Sequence, residues 1–227
     1  MSKGHQDFVT VVSDIDRGEL IDVIDSHLQE EIIETIMRQP IEVRKNVKEV
    51  SVDMWGGFPK VIQEVFPNAQ IVFDRFQVMK GVNKELNKIR RECGVDVNKN
   101  RFIILRNGIS LIDDEKVKLE YVLGQSKQLR QAYELKEEFR DIYERCNNVD
   151  QGNDEITAWL KKAQSIYCTA TKTFCNHLDG ICNYFLNRTT SGVMEGVNNR
   201  PKLIKRQAYE FVNFENFRDR LLASFAN

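Results

Sequence analysis

The feature that most constrains the fold is a change of pattern near residue 75, from alternating strand and helix signals to helix signals alone. Before this point, four short segments rich in β-branched residues predict strands; they occupy residues 7–14, 20–24, 47–53 and 69–74. Residues 28–39 carry apolar side chains at helical spacing and stop at Pro40, and a second helix opens near Pro59. The predicted order is therefore hairpin, helix, strand, helix, strand.

The rest of the chain predicts a helical block. No convincing strand follows residue 110, and residues 101–107 are ambiguous between strand and helix. The early order is that of a ribonuclease-H-like core after its first strand. The expected fold class is α/β: an incomplete ribonuclease-H-like core, with its first strand missing, and a large all-helical insertion. The expected domains are the first part of the core at 1–80, the insertion at 81–187, and C-terminal helices returning to the core at 188–227.

Two of the predicted strands end on an acid, Asp53 and Asp74, and a third acid, Glu195, lies between two glycines after the break "TTSG". Phosphoryl transfer on DNA can use two divalent metal ions that stabilise the attacking and leaving oxygens. Magnesium prefers oxygen ligands, which aspartate and glutamate supply. These three acids are candidate metal ligands. The alternative is that an acid at a strand end is an ordinary turn residue, and both interpretations stay open from the residues alone.

Basic residues form two clusters, although the net charge of −1 gives no general attraction to nucleic acid. One follows Glu195 and consists of Arg200, Lys202, Lys205 and Arg206. It could neutralise DNA phosphates, with solvated helix charge as the alternative. The other consists of Lys84, Lys88, Arg90 and Arg91. For that cluster a solvated helix face is the favoured interpretation.

The five cysteines include no C-x-x-C pair and are interpreted as reduced thiols of a cytosolic protein. Cys168, Cys175 and Cys182 recur every seven residues, which puts them on one face of an unbroken helix. Core packing is favoured for these three over metal binding. No apolar run is long enough to cross a membrane, and the first residues lack the apolar core of a signal peptide.

Three segments together resemble one family, the ISL-three branch of bacterial insertion-sequence transposases in the DDE superfamily. Residues 47–91 match its "strand, Asp-Met, helix, FPNA, strand, DRF" block with VKEVSVDMWGGFPKVIQEVFPNAQIVFDRFQVMKGVNKELNKIRR. Residues 189–222 match its last block with TTSGVMEGVNNRPKLIKRQAYEFVNFENFRDRLL. Residues 3–24, KGHQDFVTVVSDIDRGELIDVI, match its early hairpin. The resemblance covers nearly the whole chain.

The resemblance implies metal-dependent DNA cleavage and strand transfer, with Mg²⁺ or Mn²⁺ as cofactor and transposon-end DNA as partner. Asp53 would be the second catalytic acid and Glu195 the third, both as metal ligands, and Asp74 is the rival for the second. The basic residues from Arg200 to Arg206 would contact DNA. A homo-oligomer or a full-length transposase is a further expected partner, in the bacterial cytoplasm and at the nucleoid when bound to DNA.

One departure from the family pattern changes the expectation of activity. The first acid of the family lies shortly before the "KGH" element, which here is Lys3-Gly4-His5. Asp14 and Asp16 lie in the hairpin turn, and the role of the first acid is not carried over to them. The chain is therefore expected to be an N-terminally truncated, inactive transposase. The alternative is a non-catalytic protein that binds DNA or inhibits a full-length transposase.

Overall fold

The chain divides into two compact units in the computed structural model, which describes residues 9–54, 57–95, 101–189 and 214–225. The first unit comprises residues 1–71 and 190–227, and the second comprises residues 72–189. Strands occur at the beginning of the chain and helices dominate the remainder, so the fold is mixed α/β and mostly helical. Within the described ranges, no helix combines the length and the apolar character that crossing a bilayer requires.

The first unit opens with the predicted hairpin. Strands β1 (Thr10–Asp14) and β2 (Glu19–Ile24) pair antiparallel. Gly18 has φ of 67°, a left-handed conformation that glycine adopts without a steric penalty. The Arg17 amide donates to Asp14 Oδ1 at 3.0 Å, which closes the turn. The hairpin prediction is confirmed.

Helices pack on the hairpin and form two small hydrophobic cores with it. The helices of this unit are α1 (Gln29–Met37), α2 (Ile41–Arg44), α3 (Phe58–Val65) and α12 (Phe214–Phe225). One core joins β2, α1 and α3 through Ile24, Ile32, Val61 and Val65. The other joins β2 to α12 through Leu20, Val23, Phe217 and Leu221. The C-terminal helix of the chain therefore packs on its first hairpin.

The other two strands form a separate two-stranded sheet. Strand β3 (Glu49–Val52) is hydrogen-bonded to β4 (Gln70–Phe73), and α3 connects them. The Gln70 amide donates to the Lys48 carbonyl at 2.8 Å where the pairing begins. The division between the two units falls within β4, after Ile71. The strands predicted at 47–53 and 69–74 are confirmed.

Apart from the end of β4, the second unit is built from helices in the part that the structure describes. Its helices are α4 (Arg75–Glu92), α5 (Arg101–Leu105), α6 (Asp113–Gly124), α7 (Lys127–Arg145), α8 (Val149–Ala163), α9 (Cys168–Asn176), α10 (Leu178–Cys182) and α11 (Tyr184–Asn187). The ambiguous segment after residue 100 is thus a helix. In the core of the second unit, the Phe139 ring packs against the Trp159 ring, with 4.3 Å between centroids, and against the Phe174 ring, with 5.5 Å between centroids.

The favoured interpretation of the cysteine heptad is wrong for two of its three members. Cys168 and Cys175 are exposed, and Cys182 is buried. The single helix that the heptad assumes is interrupted at His177 and Asn183, which separate α9, α10 and α11. Cys168 and Cys175 lie together on the exposed face of α9, and the break at His177 separates them from Cys182 in α10.

Candidate active site

Asp53 is the residue directly after β3. The strand ends at Val52, and the Asp53 side chain is exposed. The next two residues along the "SVDMWGGF" segment that the structure describes are Met54 and Gly57, since 55 and 56 lie outside the described ranges. An exposed carboxylate at the end of a strand is accessible to a ligand, and this is the property that the sequence-based assignment requires of Asp53.

Asp74 directly follows β4 and serves as the N-cap of α4. Its Oδ1 accepts a hydrogen bond from the Phe76 amide at 2.5 Å, and the residue is only 2% exposed. A side-chain oxygen at this position satisfies an amide that the first helical turn leaves without a partner, a contribution of about 1 kcal/mol. Asp74 therefore has a structural role as the N-cap of α4.

Side chains of the second unit form a polar and aromatic cluster beside Asp74. Arg75 makes an ion pair with Glu144, and its guanidinium lies 5.3 Å from the centre of the Tyr143 ring. The hydrogen bond from Arg75 lowers the pKa of the Glu144 carboxyl. Tyr143 is fully buried, and burial raises the pKa of its hydroxyl well above the usual value.

Arg188, near the C-terminal limit of the second unit in the sequence, contacts the same cluster. It donates to the Tyr143 carbonyl at 3.2 Å and to the Cys146 carbonyl at 2.6 Å, both at the C-terminal end of α7. Arg188 itself has φ of 53°. The sequence analysis did not identify Arg75, Glu144 or Arg188. Arg75 and Glu144 are 69 residues apart, and Arg188 and Cys146 are 42 residues apart, so local sequence patterns carry no signal for these contacts.

The other predicted site residues lie outside the described ranges. They are Glu195, Arg200, Lys202, Lys205 and Arg206. Within the described part of the chain, no group of three or more His, Cys, Asp and Glu side chains could hold a metal ion. The described residues alone therefore do not assemble a Mg²⁺ site, and the metal assignment of Asp53 depends on residues beyond them.

A groove of about 480 Å³ lies in the first unit, between β2, α1 and α12. It is lined in part by Asp22, Asp25, Arg38 and Arg218. Arg218 donates to Asp22 Oδ1 through Nε at 3.0 Å and Nη2 at 2.8 Å, so two of these charges are already paired with each other. Asp53 does not line this groove.

Comparison with known proteins identifies the family. A family model described as a transposase, of the DDE superfamily and the ISL-three type, matches residues 1–221. The transposase for insertion sequence element IS1001 of Bordetella parapertussis is 26% identical over 242 aligned residues, which cover 99% of this chain and 59% of that protein. The chain thus spans about three fifths of the length of this relative. No solved structure matches the chain. The chain belongs to the ISL-three-type transposase family of the DDE superfamily.

Proposed function

We propose that this chain takes part in DNA transposition and that Asp53 and Glu195 are the second and third acids of its metal site. The family match across residues 1–221 carries the proposal. The position of Asp53 supports it, because this acid is exposed at the end of β3 and is followed by α3, in the order of strand, Asp-Met and helix that the resemblance gives. Glu195 is assigned by the "EGVNN" motif alone.

Asp74 is proposed as a helix cap near the site. Its carboxylate is buried and already accepts the Phe76 amide, so metal binding would compete with a hydrogen bond that begins α4. The exposure of Asp53 and the burial of Asp74 favour Asp53 over Asp74 as the second acid.

The cofactor in this proposal is Mg²⁺ or Mn²⁺, held by Asp53 and Glu195. When bound, such ions stabilise the attacking and leaving oxygens of the reacting phosphodiester. No position in residues 1–227 is assigned as the first acid. A polypeptide of these residues alone is therefore proposed to bind metal weakly and not to cleave DNA, because one of three ligands that position the nucleophile is lacking.

The proposed architecture is a ribonuclease-H-like core carrying a helical insertion. The division into a first unit formed from both ends of the chain and a second, helical unit formed from residues 72–189 supports it. The proposed domain limits are 1–80, 81–187 and 188–227. Transposon-end DNA is the proposed partner, bound in part by Arg200, Lys202, Lys205 and Arg206, with a homo-oligomer or a full-length transposase as a second partner in the bacterial cytoplasm.

Iron-directed backbone cleavage tests the metal assignment without depending on catalysis. Fe²⁺ replaces Mg²⁺ and, with ascorbate and peroxide, generates radicals that cut the polypeptide beside the metal. We expect cuts near residues 53 and 195 in the chain of residues 1–227. Asp53→Asn and Glu195→Gln should abolish them. Asp74→Asn should not, because asparagine is as good a helix cap as aspartate.

Asp14→Asn is the matched control, since Asp14 is another acid at a strand end and the resemblance assigns it no role. Cuts that survive in Asp53→Asn and disappear in Asp74→Asn would make Asp74 the ligand. Cuts that none of these variants alters would refute both assignments. Metal-dependent nicking of transposon-end DNA by residues 1–227 alone would contradict the proposed inactivity.

The second candidate function is a non-catalytic DNA-binding protein or an inhibitor of a full-length transposase. An exposed row of cations on α4, which is described below, favours it. Co-expression of the chain with a full-length transposase and a marked insertion sequence distinguishes the two versions. An inhibitor lowers the transposition frequency, and an unchanged frequency rejects the inhibitory version.

A further inference from the structure

Helix α4 carries a continuous row of exposed cations along its outer face. We define the α4 cationic stripe as Lys80, Lys84, Lys88 and Arg91, all of which are exposed. Successive members are four, four and three residues apart, the spacing that puts side chains next to each other on one helix face. The opposite face of α4 packs on α7 and α9 and buries Val78, Val82 and Leu86.

The composition of the stripe differs from that of the cluster predicted from the sequence. Arg90 is only 2% exposed; it donates to Asn87 Oδ1 at 2.9 Å and to the Val95 carbonyl at 3.4 Å. Arg90 therefore turns inward and stabilises the end of α4. Lys80, which the sequence-based cluster did not include, takes its place in the exposed row.

The acids of α4 neutralise the stripe only at Lys88. The helix contains six cationic residues and two acidic ones. Glu85 is buried, and its two oxygens accept the Thr169 and Ala170 amides at 2.9 and 2.7 Å. Glu92 pairs with Lys88 at 3.7 Å. The Arg75 charge is paired with Glu144 and is not part of the stripe.

Several other cations of the second unit have acidic partners. These ion pairs are Arg106–Glu115, Lys116–Asp113, Arg130–Glu120, Arg145–Glu155 and Lys162–Glu138. Within the described residues, Lys80, Lys84 and Arg91 form no ion pair. A merely solvated face would be expected to mix both signs, as these neighbouring helices do. Like charges at this spacing repel each other, so a row of them is costly to the helix unless an external anion compensates.

The length of the stripe suits a nucleic-acid backbone. Eleven residues separate Lys80 from Arg91, which corresponds to about 16 Å along the helix axis. Phosphates of one DNA strand recur about every 3.4 Å along the duplex axis, so the stripe spans roughly five base pairs. With a net charge of −1 for the whole chain, attraction to a polyanion must come from a local surface of this kind.

We propose that the α4 cationic stripe binds the phosphate backbone of duplex DNA, independently of sequence. The inference rests on the proposed function, since it gives a transposase a second DNA-contacting surface besides the basic residues that follow Glu195. The stripe begins one and a half turns after Asp74, at the start of the same helix. DNA bound to the stripe would thus lie along α4, a helix whose N-terminus is next to the candidate acid Asp74.

Fluorescence anisotropy with a labelled 30-base-pair duplex of random sequence tests the proposal on the chain of residues 1–227. The test variant is Lys80→Gln/Lys84→Gln/Lys88→Gln. We expect its affinity to fall by about tenfold to a few hundredfold at 0.1 M salt, since each lost phosphate contact removes up to ~0.9 decade. The slope of log affinity against log salt should become shallower by about 2–3, from the same counterion release.

The matched control removes the same number of positive charges elsewhere in the second unit. Lys116→Gln/Lys118→Gln/Lys127→Gln changes three exposed lysines of α6 and α7, two helices that also contain Asp113, Asp114 and Glu120; Lys116 pairs with Asp113 at 3.0 Å. We expect an affinity within about twofold of the wild type, because these lysines lie in a mixed-charge region with no local excess of cations. Glutamine and lysine have similar helix propensities, so circular dichroism should show both variants folded.

A charge-preserving variant, Lys80→Arg/Lys84→Arg/Lys88→Arg, should retain the wild-type affinity and salt slope. Equal losses in the test and control variants, or no duplex binding by the wild type, would overturn the proposal. The iron-directed cuts near residue 53 do not depend on the stripe. A failed binding test with intact cuts therefore rejects the stripe and leaves the metal assignment standing.

Discussion

The carboxylate of Glu85 is predicted to make a large polar contribution to the stability of the second unit. Helix α9 begins after Tyr167, whose side chain provides no cap. Its second and third amides, from Thr169 and Ala170, instead donate to Glu85 Oε1 at 2.9 Å and Oε2 at 2.7 Å. Glu85 is 9% exposed and belongs to α4, so a cap for one helix comes from another helix 84 residues earlier.

The proposed perturbation is Glu85→Gln, which keeps the shape of the side chain. The amide can accept one of the two hydrogen bonds, and its NH₂ group then faces the other donor. A buried donor without a partner costs about 1–3 kcal/mol. The loss of a negative charge at a helix N-terminus costs about 0.5–1 kcal/mol more. We expect the free energy of unfolding of the second unit to fall by about 2–4 kcal/mol.

Urea denaturation monitored by Trp159 fluorescence measures this loss. Trp159 is 1% exposed in the core of the second unit, and a Trp55→Phe background removes the other tryptophan. With a slope of about 2 kcal/mol per molar urea, the expected loss lowers the midpoint by about 1–2 M. Glu92→Gln is the control: its ion pair with Lys88 is exposed, and such pairs contribute about 0–1 kcal/mol.

A Glu85→Gln midpoint within 0.3 M of that of Glu92→Gln, a shift of about 0.6 kcal/mol, would refute the reasoning. It would mean that the α9 amides find water or another acceptor when Glu85 changes. Glu85→Ala removes both acceptors and should be less stable than Glu85→Gln, which checks that hydrogen bonding sets the order.

Two further predictions concern packing and ionisation. Gly152→Ala should destabilise the protein by about 1–3 kcal/mol, because an added Cβ would overlap the buried Phe185 ring. Gly124→Ala should stabilise it by about 0.5–1 kcal/mol, because the space at its Cβ is open. Urea denaturation midpoints compare the two variants. Burial, followed by the charge of Glu137, raises the pKa of Tyr133 to about 12. The stability that the protonated Tyr133 hydroxyl contributes is complete below pH 10 and is lost as the pH rises towards 12. The free energy of unfolding therefore falls over that range. Tyr133→Phe should make this fall smaller by up to about 2–3 kcal/mol.

The elements of the first 75 residues could be predicted because local signals agree there. β-Branched residues on either side of Gly18 gave the hairpin, and Pro40 marked the end of the first helix. The role of Asp74 was also readable, since an acid between a strand and an amphipathic run is a typical helix cap. The sequence-based interpretations of Asp74 were instead a candidate metal ligand and an ordinary turn residue.

What the sequence could not predict depends on contacts between distant segments. Arg90 and Arg91 are adjacent and chemically identical, but only Arg90 faces the Val95 carbonyl and is buried. The cysteine prediction failed because the spacing puts Cys168 and Cys175 on one face of α9 but does not reveal that this face is exposed. The candidate metal site is the least predictable part. The role of Glu195 rests on a motif, and Glu195 lies outside the described ranges.

Both ends of the second unit are tied to the same place, the C-terminal end of α7. The chain enters near Arg75, which pairs with Glu144, and leaves near Arg188, which donates to the Tyr143 and Cys146 carbonyls. These carbonyls are among those that a helix end leaves without partners, so Arg188 acts as a C-cap for α7 from 42 residues away. A unit whose entry and exit are held together can be inserted into a core without separating the segments that flank it. This arrangement supports the proposal that a helical insertion, with proposed limits 81–187, lies between the segments that carry Asp53 and Glu195.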